Sequence, residues 1–309
     1  MKTLKKSFVY LVVLTLVLML CSCGGTKDSS SSSPDISKKI TDRMGEEVEI
    51  PQNITKIVSL SASNTEILTG LGLKDKIVAT DIYSADAGVD SSVAILDMQN
   101  PDIEKITSLS PDVVFVNGIN TDGSNDPYTA FKKAGLNVVY IPAANSLEDI
   151  VKDITFISEY TKTEAKGKEF TDSINKKIDE LKETAKKVTE KKKVYVEISA
   201  APYLYSCGSG TYINEILELL GAENIFSKQN GWLNITEENV ISENPDIILS
   251  TVKYDGYDIK EISQRKGWDS INAVKNNEVK YIDTNAVSRA SQNVVKGIDE
   301  IKKAVYPDL

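Results

Sequence analysis

The chain has 309 residues, with 36 Lys and Arg against 45 Asp and Glu, a formal net charge of −9 and no histidine. At roughly 100–200 residues per domain the length indicates two domains, and 41% hydrophobic with 26% charged residues is an ordinary globular composition. The missing histidine excludes HExxH zinc helices, Ser-His-Asp and Cys-His catalysis and imidazole ligation of haem or copper, while the acidic balance lacks the cationic footprint that nucleic-acid phosphates require.

The amino terminus reads as an address. Lys2, Lys5 and Lys6 precede an apolar run over 8–20, too short for an ordinary membrane span and right for the hydrophobic region of a secretory signal. It ends in Leu20-Cys21-Ser22-Cys23-Gly24, which has the form of a bacterial lipobox: leucine at −3, a small residue at −1 and cysteine at +1. Cys23 fits that register; Cys21 would put bulky Leu20 beside the cut. The alternative is an uncleaved amino-terminal anchor. Residues 1–22 are therefore expected to be a lipoprotein signal peptide, with Cys23 the lipidated new terminus. Residues 23–37, with serines at 29–33, form a flexible tether reaching on the order of 20 Å. Cleavage leaves Cys207 as the lone cysteine of the folded part and, by removing three lysines and no acids, deepens the charge from −9 to −12. The expected location is extracytoplasmic, lipid-anchored to the cell membrane.

From residue 38 onward, short β-branched runs alternate with helical patterns. Strands are predicted over 56–61, 77–80, 112–116 and 137–141, and helices over 63–70, 102–109, 127–134 and 147–159. The first helix carries an apparent capping box from Ser63 to Glu66, with Gly70 and Gly72 at its end. Residues 164–192 are dense in lysine and glutamate. Phe170, Ile174, Ile178, Leu181, Ala185 and Val188 recur every three or four positions, which predicts one long amphipathic connecting helix. Strands are then predicted over 193–199, 246–251 and 278–283, and helices over 212–220, 237–243, 258–264 and 292–304. Such alternation implies parallel sheets covered by helices.

The second half repeats the plan of the first, and in two blocks the repeat reaches individual residues. Glu104 lies seven residues before Pro111-Asp112, and Glu238 seven before Pro245-Asp246, each Pro-Asp opening an apolar strand. Thr65-Glu66-Ile67-Leu68 with Gly72 matches Asn214-Glu215-Ile216-Leu217 with Gly221. The fold class is α/β: two Rossmann-like lobes, 38–163 and 193–309, joined by a single long helix.

This plan resembles the iron-complex and cobalamin substrate-binding proteins of ABC importers, over nearly all of 40–307. The resemblance rests on the segments around Lys56 to Leu68, Asn100 to Asp112, Val196 to Gly208, Gly221 to Phe226, Gly267-Trp268 and Ser288-Arg289. It implies the helical-backbone periplasmic-binding-protein fold and a non-catalytic monomer. The monomer would capture a metal chelate (a siderophore, haem or cobalamin) between its lobes and deliver it to a permease dimer with its ATPase. Glu104 and Glu238 match the family's permease-docking glutamates, and a pair related by the repeat suits a two-fold permease. Either glutamate also complements a helix dipole.

The cleft is expected at the carboxyl ends of the strands. In cobalamin-binding relatives, ligand-facing aromatics sit six residues before each docking glutamate, here Met98 and Trp232; methionine departs from the pattern. Tyr83 and Tyr205 match other cleft aromatics, whose flat faces suit macrocycles or catecholates. Arg289 matches a cleft-edge arginine, positioned for an anionic carboxylate or phosphate or for an intralobe salt bridge with one of the many acids. The family's usual proline and second arginine are replaced by Ala290-Ser291-Gln292-Asn293, which lowers cleft positive charge and disfavours a strongly anionic ferric siderophore. No cofactor is expected to be bound by the protein itself, and no resident metal: without histidine, iron must arrive already chelated. Haem is left Tyr83, Tyr205 or Met98 as ligands. Asp81, Asp86 and Asp90 miss calcium-loop spacing and read as loop acids. The competing class is an extracellular α/β hydrolase using Asp/Glu acid–base chemistry, for which no G-x-S-x-G elbow is present.

Overall fold

The computed structural model describes residues 38–98, 100–117 and 127–309. The signal segment, Cys23 and the tether lie outside them. The first described residues pair as an antiparallel hairpin, β1 (Lys38–Thr41) with β2 (Glu47–Ile50), which the sequence pattern did not reveal. Arg43, at its turn, donates to Asp153 at 2.6 Å, and the Tyr160 hydroxyl donates to the Glu49 carbonyl at 2.8 Å, so the hairpin is bonded onto the first lobe.

The predicted alternation then appears. In chain order come β3 (Ile57–Ser59), α1 (Ala62–Gly70), β4 (Ile77–Asp81), β5 (Ala94–Leu96), α2 (Ile103–Ser108) and β6 (Val113–Asn117). They are followed by α3 (Pro127–Lys133), β7 (Val138–Ile141) and α4 (Leu147–Tyr160). The strands form one parallel sheet in the order β5-β4-β3-β6-β7. The connector α5 (Glu164–Ala185) leads to β8 (Lys193–Glu197), β9 (Tyr205–Cys207), α6 (Tyr212–Leu219), β10 (Glu223–Asn224), β11 (Trp232–Asn234) and α7 (Glu237–Glu243). The chain ends through β12 (Ile247–Ser250), α8 (Lys260–Gln264), α9 (Asn272–Lys275), β13 (Val279–Tyr281), α10 (Thr284–Ser288) and α11 (Val294–Val305). The second sheet is parallel in the order β10-β8-β12-β13, with β9 and β11 forming a separate antiparallel pair. The α/β class, two lobes and one long helix, is as the sequence indicates.

Two expectations need correction. The capping box at Ser63 does not form: α1 starts earlier with Ser61 as N-cap and no side-chain cap, because the Glu66 carboxylate is drawn across to Ser291 and Arg289. The connector ends at Ala185 rather than running to residue 192. Its last turns close through Lys187 N–H to the Thr184 carbonyl and Val188 N–H to that of Ala185, and Val188 packs inward.

The repeat now has a structural meaning. Asp112 accepts from the Lys56 N–H at 2.9 Å, and Asp246 from the Lys193 N–H at 3.0 Å. Each Pro-Asp thus fastens the central strand of its lobe to the neighbouring strand at their starts. Strand residues alternate between two environments, as the pleat requires. Ile57, Val113 and Phe115 join Val194, Val196, Ile247 and Leu249 in one buried cluster that also takes Ile174 and Leu181 of α5. The opposite faces fill separate clusters, Val58, Val114 and Val116 in the first lobe and Tyr195, Ile248 and Trp268 in the second. One inner core is therefore shared by both lobes and the connector.

Candidate functional site

Between the lobes lies a cleft of about 640 Å³. Its first wall comes from the carboxyl ends of β3, β4 and β6: Ser61 to Ser63, Asp81 with Tyr83, and Asn117. The opposite wall comes from β9, β11 and α10, where the strands of α/β folds present their ligand-facing loops. All five residues singled out for ligand contact, Tyr83, Met98, Tyr205, Trp232 and Arg289, line this one cleft.

The aromatics are set there by strand register. In the β9–β11 pair, Trp232 stands opposite Cys207 and Asn234 opposite Tyr205, so Trp232 and Tyr205 share a face of this two-stranded sheet. Trp232 is 39% exposed and Tyr83 56%, so both rings are open to a molecule in the cleft. Tyr212 was missed in the sequence. It is buried at the start of α6, donates its hydroxyl to the Val287 carbonyl at 2.8 Å and meets Trp232 edge-on at 6.2 Å. Burial pushes its hydroxyl well above the usual tyrosine range. Cys207 is buried beneath, its thiol pushed up to about 12 by burial, and is not among the cleft-lining residues.

The charged groups are arranged differently from the aromatics. Arg289 is nearly buried and bridges the lobes, donating to Glu66 at 3.2 Å, to the Tyr83 carbonyl at 2.8 Å and to Asp86. The intralobe salt bridge considered for Arg289 does not form as such: its acidic partners, Glu66 and Asp86, lie in the other lobe, because the guanidinium reaches across the cleft edge to them. Ser291 also donates to Glu66, the Gln292 amide to the Glu66 carbonyl at 2.9 Å, and the Asn285 amide to Asp86 at 2.6 Å. Partial burial works against ionisation of Asp86, but the hydrogen bonds from Arg289 and Asn285 hold it below the usual carboxylate range. The repeat-related glutamate makes the reciprocal contact: Glu215 of the second lobe accepts from the Leu147 N–H, at the start of α4, at 2.7 Å. Glu66 and Glu215 were matched in the sequence without their shared role, and that match was the available signal.

Asp81 caps the turn after β4, accepting from Tyr83 N–H at 2.8 Å and from the Ser84 hydroxyl. Asp90 accepts from Ser92. Among the described residues no group of three or more Cys, Asp or Glu is placed to hold a metal ion. Glu104 and Glu238 sit exposed in the first turns of α2 and α7, and neither makes an ion pair among the described residues. Glu238 is drawn below the usual carboxylate range by its own backbone N–H and by the Thr236 hydroxyl.

Residues 57–286 match the periplasmic binding protein family, and the chain belongs to it. It is 32% identical, over 98% of each chain, to the uncharacterized ABC transporter substrate-binding lipoprotein YvrC of Bacillus subtilis. It is 25% identical to the vitamin B12-binding protein of Vibrio parahaemolyticus, over 80% of this chain and 88% of the relative. A solved structure of a possible iron-binding (periplasmic solute-binding) protein from Staphylococcus epidermidis superposes with a TM-score of 0.69 at 30% identity, covering 82% of this chain and 100% of that one.

Proposed function

We propose that this chain is the lipid-anchored, extracytoplasmic receptor of an ABC importer and that it takes a metal chelate of the iron-complex or corrinoid kind into the interlobe cleft. The observation that carries the reading is the convergence of four aromatic side chains and Met98 on one cleft at the strand ends. Flat apolar faces of this area suit a macrocycle or chelator shell and give binding without covalent chemistry. The names of its relatives, a transporter substrate-binding lipoprotein and a vitamin B12-binding protein, support the same class. Cys23 would carry the lipid and the tether would hold the receptor near its permease. Glu104 and Glu238, equivalent in the two halves, would meet cationic partners on a two-fold permease and set register and encounter rate.

The test is a fluorescence titration of residues 38–309 with cyanocobalamin, haem and neutral ferric chelates. Trp232 lines the cleft whereas Trp268 is buried under Arg265, so Trp232→Phe should remove most of the ligand-dependent signal. Saturable quenching by at least one chelate is expected. Binding to none of them, with turnover of an ester or glycoside, overturns the proposal.

A further inference from the structure

The charge inside the cleft narrows the chelate-receptor reading, and selection by charge rests on that reading. Among the described residues lining the cleft, Arg289 is the single cation. Arg289 does not face the cavity as a free charge. Its guanidinium donates to Glu66 at 3.2 Å, to Asp86 and to the Tyr83 carbonyl at 2.8 Å, which commits three of its five N–H donors, one on Nη1 and both on Nη2, to protein acceptors. Glu66 is 7% exposed and locked behind it by Ser291, while Asp86 is open to solvent, with its side chain 63% exposed. Asp81 adds a further acid to the wall, and no cation pairs with it among the described residues. Of these acids only Asp81 is among the lining residues, and Glu66 and Asp86 stand at the Arg289 guanidinium, so the one positive charge at this wall is outnumbered by three nearby carboxylates. The amino end of α1 faces the same wall with no side-chain cap, and its partial positive charge of about half a unit does not reverse the balance. Its backbone N–H groups suit neutral oxygen acceptors such as amides and hydroxamates.

We infer that the cleft selects chelates of zero or positive net charge and rejects polyanionic ones. With two net negative charges at about 10 Å in a largely aqueous cleft, each negative charge added to a ligand should weaken binding about fourfold at low salt, and the penalty should shrink as salt is raised.

Matched scaffolds isolate the effect. Cyanocobalamin is compared with its peripheral monocarboxylate, and a linear ferric tris-hydroxamate carrying a free amine with its N-succinylated, anionic form, by titration at low and high ionic strength. The anionic member of each bound pair should be weaker, about fourfold for the corrinoids and more for the hydroxamates, with a gap that narrows in salt. Asp86→Asn, at an exposed position that leaves Glu66 to hold Arg289, should narrow the low-salt gap about twofold. Equal or tighter binding of the anionic members overturns the inference, as does a gap insensitive to both salt and Asp86→Asn. Binding of no chelate at all overturns the receptor reading and this inference with it.

Discussion

Arg289 and Glu66 together offer a measurable test of how the lobes are held. Replacing Arg289 with alanine leaves the Glu66 carboxylate, 7% exposed, without its counterion. Removing one partner of a buried pair costs about 3–5 kcal/mol. Ser291 still donates to Glu66, and the second arm, to a largely exposed Asp86, is worth under about 1 kcal/mol, so the lower end is expected. We therefore expect Arg289→Ala to lose about 3 kcal/mol in urea unfolding at neutral pH, with an unchanged m-value. For a folded part of this size that is a fall in Tm of about 6–12 °C. The second half of the cycle carries the reasoning. Glu66→Gln in the Arg289→Ala background keeps an acceptor for Ser291 and removes the stranded charge, and should recover about 2 kcal/mol. A loss below about 1 kcal/mol for Arg289→Ala, or no recovery in the double variant, would show that this interlobe pair does not hold the lobes as argued.

Other parts of the molecule lead to three more expected outcomes. A Cβ on Gly167 would overlap Ser158 Oγ and Cβ, well inside contact distance, where α4 and α5 cross, so Gly167→Ala should lose about 1–2 kcal/mol despite its better helix propensity; added Ser158→Gly should restore most of it, and a stabilised single variant would refute the close approach. Burial lifts Asp153 to about 6 in spite of Arg43, so its neutral form is favoured in the folded state. Its contribution is present below pH about 4 and is lost as pH rises through 6, so stability should fall by at most about 3 kcal/mol over that window. Asp153→Asn should flatten that slope, and an equally steep slope in the variant would assign it elsewhere. Finally, charge reversal at both Glu104 and Glu238 should cut uptake or ligand-stimulated ATPase roughly tenfold in a reconstituted importer while ligand affinity stays unchanged; a loss of affinity instead would remove the docking assignment.

What was legible in the sequence was whatever depends on neighbours along the chain. Apolar β-branched runs and the three-to-four spacing from Phe170 to Leu181 marked strands and connector because burial of one face leaves a periodic trace. Pro111-Asp112 and Pro245-Asp246 were visible because the same local fastening is used twice. The antiparallel pairs β1 with β2 and β9 with β11 were not, since they stand outside the strand–helix alternation of the two parallel sheets that marked the other strands. Glu66 shows the other limit. Its neighbours spelled a helix cap, but its partners stand 223 and 225 positions away, and an interlobe ion pair outweighed the local bond. In the cleft, side-chain type at Tyr83, Trp232 and Arg289 was readable, whereas the neutralisation of Arg289 by the opposite lobe depends on packing alone.

The inner core common to both halves has a bearing on how the molecule assembles. Val194, Val196 and Leu249 find part of their cover in the same cluster as Ile57, Phe115 and Ile154, so each half synthesised alone would leave an apolar sheet face in water. The second half cannot complete its interior until the first has been made, and the two should unfold in one cooperative transition. Halves expressed separately, 38–185 and 186–309, should be insoluble apart and soluble when co-expressed. Although the chain repeats a plan, neither copy is a module that evolution or an engineer can exchange by itself.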